Sequence, residues 1–437
     1  MIILFTLYYH ISHFLSYSDR SIYNEQVLRI TRLIIFRKVS KTVYMNKDVN
    51  NPICYFAKSN FRKKRDRFGI YLKDRLHHFY IIGKTGTGKT TLLHTKITQD
   101  IDAGRGICLL DVHGDLIKKI IAHISPDREK DIVYIDATNP ELILGYNPLR
   151  RVSYEKRSLV TANILEVFER LWGSQGWGVK LSHILRNVLL CLLDQPKASL
   201  SDVLKLLHSQ DFRNQCLPNI INPEVKTFFE KEFKNYGKTD LIPIYNKLGA
   251  ILSYPAVKRI LVENKEQISL RQIMDTNKIL LVNISKGVLG AEASYVLGSL
   301  LLTSLASASF SRIDTPEEER LPFFVYLDEF QNFTNLSIIE MLSELRKFKI
   351  GIIMSHQYTS QLNTKILNAI LGNVGTIVCF RLGQSDARIM EREFDPVFTA
   401  SDFVNLSNYE IYLKLMIQGR PSIAFSASTL LPFENFL

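Results

Sequence analysis

The sequence has 437 residues, 46% of them hydrophobic, which leaves room for one large or two to three ordinary domains and is ample for a core. Its 55 basic and 43 acidic side chains give a formal charge of +12, a balance that favours a polyanionic partner, nucleic acid or an anionic membrane surface, over a neutral one, unless it reflects a basic proteome background. The five cysteines, Cys54, Cys108, Cys191, Cys216 and Cys379, are scattered without a CxxC pair, so they suggest no zinc site and read as small core residues in a reducing compartment.

The first stretch, Met1 to Ser18, has no charged residue and is followed by Arg20, Arg29, Arg32, Arg37, Lys38 and Lys41. Its length suits a marginal membrane span, while Thr6, His10, Ser12 and His13 dilute it and the marks of a secretory signal are missing. Two readings stand: a weak anchor that leaves the rest of the chain cytoplasmic, or a soluble extension. Residues 1–57 are expected to form this N-terminal extension. Arg62-Lys63-Lys64-Arg65-Asp66-Arg67 follows, a basic cluster suited to a phosphate backbone or to a solvated loop.

Next, Phe79-Tyr80-Ile81-Ile82 reads as a buried strand running into Gly83-Lys84-Thr85-Gly86-Thr87-Gly88-Lys89-Thr90-Thr91. Leu93, Ile97 and Ile101 then recur at helical spacing up to Gly104. Strand, glycine-rich loop and helix in that order make a P-loop. The glycines let backbone N–H groups turn onto phosphate oxygens, and the helix adds the positive end of its dipole. Gly83, Thr85, Gly86, Thr87, Gly88, Lys89, Thr90 and Thr91 are the expected nucleotide contacts, with Lys89 on the β- and γ-phosphates and the Thr90 hydroxyl on Mg²⁺. The expected cofactors are therefore ATP and Mg²⁺. A second strand ends on Asp111, which can touch metal-bound water or cap the next helix. A third, Ile132 to Asp136, completes the β-α-β-α-β alternation of a doubly wound parallel sheet over residues 58–150.

From 151 to 270 the pattern is helix after helix, with Trp172-Gly173 and Trp177-Gly178 marking a turn, and reads as an all-α insertion. The sheet resumes over 271–437. A small-residue helix from about Gly290 to Phe310 leads to Phe323-Phe324-Val325-Tyr326-Leu327, which delivers Asp328 and Glu329 at its carboxyl end. Open α/β sheets place ligands there. Asp328 is expected to hold Mg²⁺ and Glu329 to polarise the attacking water. The strand Ile350 to Ser355 ends in His356-Gln357, whose amide can reach a γ-phosphate, the water or loop backbone. Thr376 to Arg381 is a further strand, and Tyr409 to Phe425 reads as a terminal β-hairpin turning at Gln418-Gly419.

With these residues in place, the chain resembles the type IV secretion and conjugation ATPases of the HerA/FtsK superclass, in particular the coupling-protein DNA-binding domain (TraG/TraD-like). The likeness runs from about Tyr55 to Leu430. It rests on the P-loop, on Leu110 to Leu116, Leu327 to Phe333 and Leu345-Arg346-Lys347, and on Ser355 to Tyr358 and Gly375 to Gly383. Val112 stands where that family commonly has proline, and the paired transmembrane domain common at the family's N-terminus has here only the segment 1–18 as a counterpart. The resemblance implies a RecA-like P-loop NTPase sheet with helices on both faces, interrupted by the all-α insertion. It also implies a homo-hexameric ring with ATP at subunit interfaces and DNA as partner, in the cytoplasm or at the cytoplasmic face of the inner membrane beside secretion or conjugation machinery. By the same likeness, Gln357 senses the γ-phosphate, Arg346 is the arginine finger entering a neighbour's site, and Arg381 is a second phosphate-facing arginine. The competing expectations are an ATPase that energises protein secretion or pilus assembly without DNA, and an ATP-binding scaffold that does not turn over.

Overall fold

The structure, a computed structural model, describes residues 52–60, 65–264 and 266–432. The Met1 to Ser18 segment and Arg62, Lys63 and Lys64 of the basic cluster lie outside the described residues.

The chain opens with an antiparallel pair, β1 (Ile53–Ser59) and β2 (Arg67–Tyr71), so the sheet begins inside the stretch expected to be an extension. β3 (Phe79–Ile82), β4 (Gly106–Asp111) and β5 (Ile132–Asp136) follow, separated by the helices Lys89–Asp102 and Asp115–His123. A two-residue strand β6 (Leu144–Gly145) enters the helical region and β7 (Glu266–Gln267) leaves it; the two pair in parallel and close the base of the insertion. β8 (Ile279–Asn283), β9 (Phe323–Leu327), β10 (Ile350–His356) and β11 (Thr376–Cys379) resume the sheet. The chain then adds β12 (Glu410–Lys414), the short hairpin β13 (Met416–Ile417) and β14 (Arg420–Pro421), and β15 (Phe425–Thr429). Apart from the β6–β7 and β13–β14 pairs, these strands form one sheet of eleven in the order β2-β1-β15-β12-β11-β3-β10-β9-β4-β8-β5. It is parallel from β11 to β5 and antiparallel in the wing from β2 to β12.

The parallel strands β3, β4, β8, β9, β10 and β11 are buried along their whole length, as apolar runs covered on both faces must be. Alternation divides the core. Phe79, Ile81, Ile107 and Leu109 pack with Leu92, Leu93, Ile97 and Ile101 of the helix Lys89–Asp102 on one face. Tyr80, Ile82, Cys108 and Leu110 belong to the core of the other face, which also holds the helices Tyr154–Trp172 and Ala291–Phe310 and the insertion. The region from Ala291 to Asp314 is apolar and long enough to cross a membrane, but 78% of its most apolar window is buried inside the fold. Small residues allow that approach: a Cβ on Gly298 would sit 2.7 Å from Phe333 Cβ.

The terminal hairpin forms as its turn residues require. Gln418 (φ 51°) and Gly419 (φ 77°) are both left-handed, the geometry of a primed turn, and the Asp74 carboxylate accepts both of their N–H groups at 2.8 and 2.9 Å. The hairpin is the tip of a larger one, since β12 and β15 pair from Glu410↔Ser428 to Leu413↔Phe425.

Candidate active site

β3 lies between β11 and β10, so the loop that leaves it is fixed from both sides. Lys84 N–H donates to the Arg381 carbonyl at 2.9 Å and Gly83 N–H reaches the His356 carbonyl at 3.4 Å. A Cβ on Gly83 would meet Phe380 Cβ at 2.5 Å, so only glycine fits this close passage. Gly86 (φ 77°) and Gly88 (φ 122°) supply the left-handed turns that close the loop over the start of the helix Lys89–Asp102, and the Thr87 hydroxyl donates to the Lys84 carbonyl at 2.7 Å. Thr85 and Gly86 form the exposed rim, while Thr90 and Thr91 follow Lys89 on the first turn of the helix, half-buried.

Lys89 is buried and folds back onto the loop, donating to the Gly83 and Lys84 carbonyls at 2.7 and 3.0 Å. Burial lowers its pKa, and the neighbouring Glu329 and Asp328 carboxylates oppose that shift. Asp328 and Glu329 leave the carboxyl end of β9, two strands from β3. Burial, then the charges of Glu329 and Asp111, push the Asp328 carboxyl up to about 6, against Lys89. A buried carboxyl held high by other carboxylates gains from a cation, and Asp328 with the Thr90 hydroxyl offers the hard oxygen donors that Mg²⁺ takes. Glu329 stands in the left-handed region (φ 51°, ψ 47°), a conformation that costs a non-glycine residue about 1–2 kcal/mol and collects at functional sites. Its two carboxylate oxygens are both engaged, Oε1 by the Gln357 amide at 3.0 Å and Oε2 by the Gln331 amide at 2.6 Å.

The structure thus brings together the P-loop, Lys89, Asp328, Glu329 and Gln357. Asp111 resolves to the capping reading: its carboxylate accepts from the backbone of His113, Leu116 and Ile117 at 2.8, 3.0 and 3.2 Å. Arg381 touches the loop through its carbonyl, while its guanidinium turns to the Leu406 carbonyl and Asn408 Oδ1 at 3.3 and 3.0 Å. Arg346 is not brought to this site. It is exposed in the turn Leu345–Phe348, before the amino end of β10, and the seven residues of that strand place it about 20 Å from Gln357. There it contacts His77 Nδ1 at 3.3 Å.

Sequence reasoning missed four neighbours. The Tyr409 and Phe380 rings wall the loop so closely that a Cβ on Gly88 would meet them at 2.9 and 3.0 Å, and Tyr409 N–H holds the Thr87 carbonyl at 2.8 Å. Gln331 was visible only as part of a motif. Glu166, on the insertion helix Tyr154–Trp172, accepts from the Leu336 N–H at the start of the helix Ser337–Glu344, and so ties the insertion to the segment just after the carboxylates.

No family model matches the sequence, and no curated protein matches it. Solved structures match the fold. The unbound bacterial conjugative coupling protein TrwBdeltaN70 superposes with a TM-score of 0.62 at 15% identity, over 83% of this chain and 86% of that one. The fold is that of the conjugative coupling protein. TrwB in complex with ADP and Mg²⁺ matches with a TM-score of 0.61 at 17% identity, over 83% of this chain and 87% of that one. VirB4 of Thermoanaerobacter pseudethanolicus matches with a TM-score of 0.58 at 14% identity, over 89% of this chain and 99% of that one. The RecA-like P-loop sheet with helices on both faces is therefore shared with both proteins.

Proposed function

We propose that this protein is a P-loop ATPase of the type IV secretion or conjugation type, which hydrolyses Mg-ATP at the interfaces of a homo-hexameric ring to move DNA. One observation carries the reading: Lys89 of the P-loop, Asp328, Glu329 and Gln357 converge at the carboxyl ends of β3, β9 and β10. The coupling protein that shares this fold was solved with ADP and Mg²⁺. DNA as the track draws its support from the formal charge of +12 and from the likeness to a conjugative coupling protein.

Each residue has a role in this scheme. The backbone N–H groups of residues 83–91 cradle the phosphates, and Lys89 exchanges its loop carbonyls for β- and γ-phosphate oxygens. Thr90 and Asp328 hold Mg²⁺, which supplies charge neutralisation on the phosphates when bound. Glu329 orients a water and takes its proton as the water oxygen bonds to the γ-phosphorus. The bond from that phosphorus to the bridging oxygen breaks, and the electron pair leaves on ADP. Gln357 contacts the γ-phosphate. Arg346 has no carboxylate partner among the described residues and faces solvent, which suits a finger offered to the next subunit, where it stabilises the transferring phosphoryl group.

The test is the ATPase rate of the purified chain with and without single- and double-stranded DNA, at low and moderate salt, beside Glu329→Gln and Lys89→Ala. Salt-sensitive stimulation by DNA that is lost in both variants is expected. Turnover indifferent to DNA would instead favour an ATPase that energises secretion or pilus assembly, and a ring that binds ATP without turnover would leave the scaffold.

A further inference from the structure

Glu329 has two amide partners, and they are supported differently. Gln331 lies in the same short turn, Phe330–Asn332, between Phe330 and Phe333, both fully buried. Asn332 closes the turn by donating from its side chain to the Glu329 carbonyl at 2.9 Å, and Lys286 Nζ reaches Asn332 Oδ1 at 3.2 Å. The Gln331 backbone is therefore anchored to the residue it serves. Gln357 comes from another strand, at the tip of β10, and the exposed Tyr358 follows it. Its contact with Oε1, at 3.0 Å, is also longer than the 2.6 Å contact of Gln331 with Oε2.

A second observation singles out Gln331. While its Nε2 serves Glu329, its Oε1 is buried with no hydrogen-bond partner among the described residues. An orphaned buried carbonyl is unfavourable, and a leucine of similar shape would avoid it. The glutamine is kept at that cost because its amide serves the buried Glu329 carboxylate.

We infer that Gln331 is a positioning residue for the hydrolytic carboxylate: it holds Glu329 Oε2 throughout the cycle, so that only Oε1 is exchanged. In the structure described, Oε1 is covered by Gln357. When a γ-phosphate draws the Gln357 amide to its own oxygens, Oε1 is uncovered toward the P-loop, and the carboxylate is already oriented to take a proton from water. One amide fixes the base and the other releases it. This inference rests on the ATPase reading above.

The test uses the full chain with Gln331→Leu. The turnover number should fall roughly tenfold to a hundredfold, a part of the roughly hundredfold to ten-thousandfold that a positioned general base contributes. The KM for ATP should hold and the melting temperature should change little, because removal of the orphaned carbonyl offsets the loss of a donor to Glu329 Oε2. In the background of Glu329→Gln, the same change should cost nothing further. Gln331→Asn, one methylene too short to reach Oε2, should behave like Gln331→Leu and provides the reading if the leucine variant does not fold. The inference is overturned by turnover within about twofold of wild type, by a fall shared with ATP affinity or melting temperature, or by a full additive loss on top of Glu329→Gln. A wild-type chain that does not hydrolyse ATP would overturn the ATPase reading itself, an outcome separate from these.

Discussion

His78 stands one residue before β3 with φ 67°, and both of its ring nitrogens are committed. Nε2–H donates to the Leu342 carbonyl at 3.0 Å, and Nδ1 accepts from Ile352 N–H at 3.1 Å, so the ring serves only while neutral. Burial lowers its pKa to about 4, and His94 and His356 are lowered by burial to about 4 and about 3. An unfolded histidine titrates near 6.5, so between these values the unfolded chain binds more protons than the folded one. The stabilisation is complete above about pH 6.5 and is lost as the pH falls toward 4, by roughly 3 kcal/mol for the fully buried His78. Urea midpoints measured from pH 7.5 down to 4.5 should fall through that window, and His78→Gln should flatten the slope while lowering the midpoint at pH 7.5. Little of this was legible in the sequence. The P-loop was, because the spacing of Gly83, Gly88, Lys89 and Thr90 states the backbone chemistry directly. Asp328 and Glu329 were, because an apolar run says where its carboxyl end lies. The roles of His78 and Gln331 depend on which atoms face them across the fold, and no local pattern carries that.

At the scale of elements, the helix Lys89–Asp102 is tied to β9 through the core. Arg75 donates to both oxygens of Asp100 at 2.6 and 2.5 Å, Tyr326 donates to Asp100 at 2.6 Å, and the Arg75 guanidinium lies 3.7 Å over the Phe324 ring. Burial works to raise the Asp100 carboxyl, but the Arg75 charge and its hydrogen bonds prevail and hold it below the usual range. This network joins the helix that begins at Lys89 to the strand that delivers Asp328, so it sets the spacing between the two halves of the site. Asp100→Ala leaves the fully buried Arg75 without its carboxylate and should cost about 3–5 kcal/mol, read as a lowered urea midpoint at pH 7. The strands and helices themselves were legible from apolar runs and helical spacing. Their pairing was not: Tyr326 and Asp100 are 226 residues apart, and a buried charge looks like a surface one until both partners are placed.

At the scale of the molecule, Arg346 and Glu329 belong to opposite ends of the parallel strands, which divides one reaction between two subunits if the ring forms. Arg346→Ala and Glu329→Gln should each retain only a small residual turnover alone. Mixed and allowed to exchange subunits, they should recover a fraction of wild-type turnover, because some interfaces then pair an intact Glu329 with a neighbour's intact Arg346. A mixture as inactive as its parts would remove Arg346 from the role of finger. The wing was the least legible part of the fold, since β1 and β15 meet from near the two ends of the described chain. Asn60 and Ser426, hydrogen-bonded at that edge, are 366 residues apart. Tyr80 and its partner His356, beside the P-loop, are 276 apart. During synthesis at about 5–20 residues per second, β1 emerges from the ribosome roughly 20–70 s before β15 exists to pair with it. For much of that interval the apolar strand Phe79–Ile82 also lacks both of its neighbours. The nucleotide site is therefore among the last parts of the nascent chain to form, and a ribosome stalled before β9 would hold a protein with a complete phosphate-loop sequence and neither Asp328 nor Glu329 to hydrolyse with.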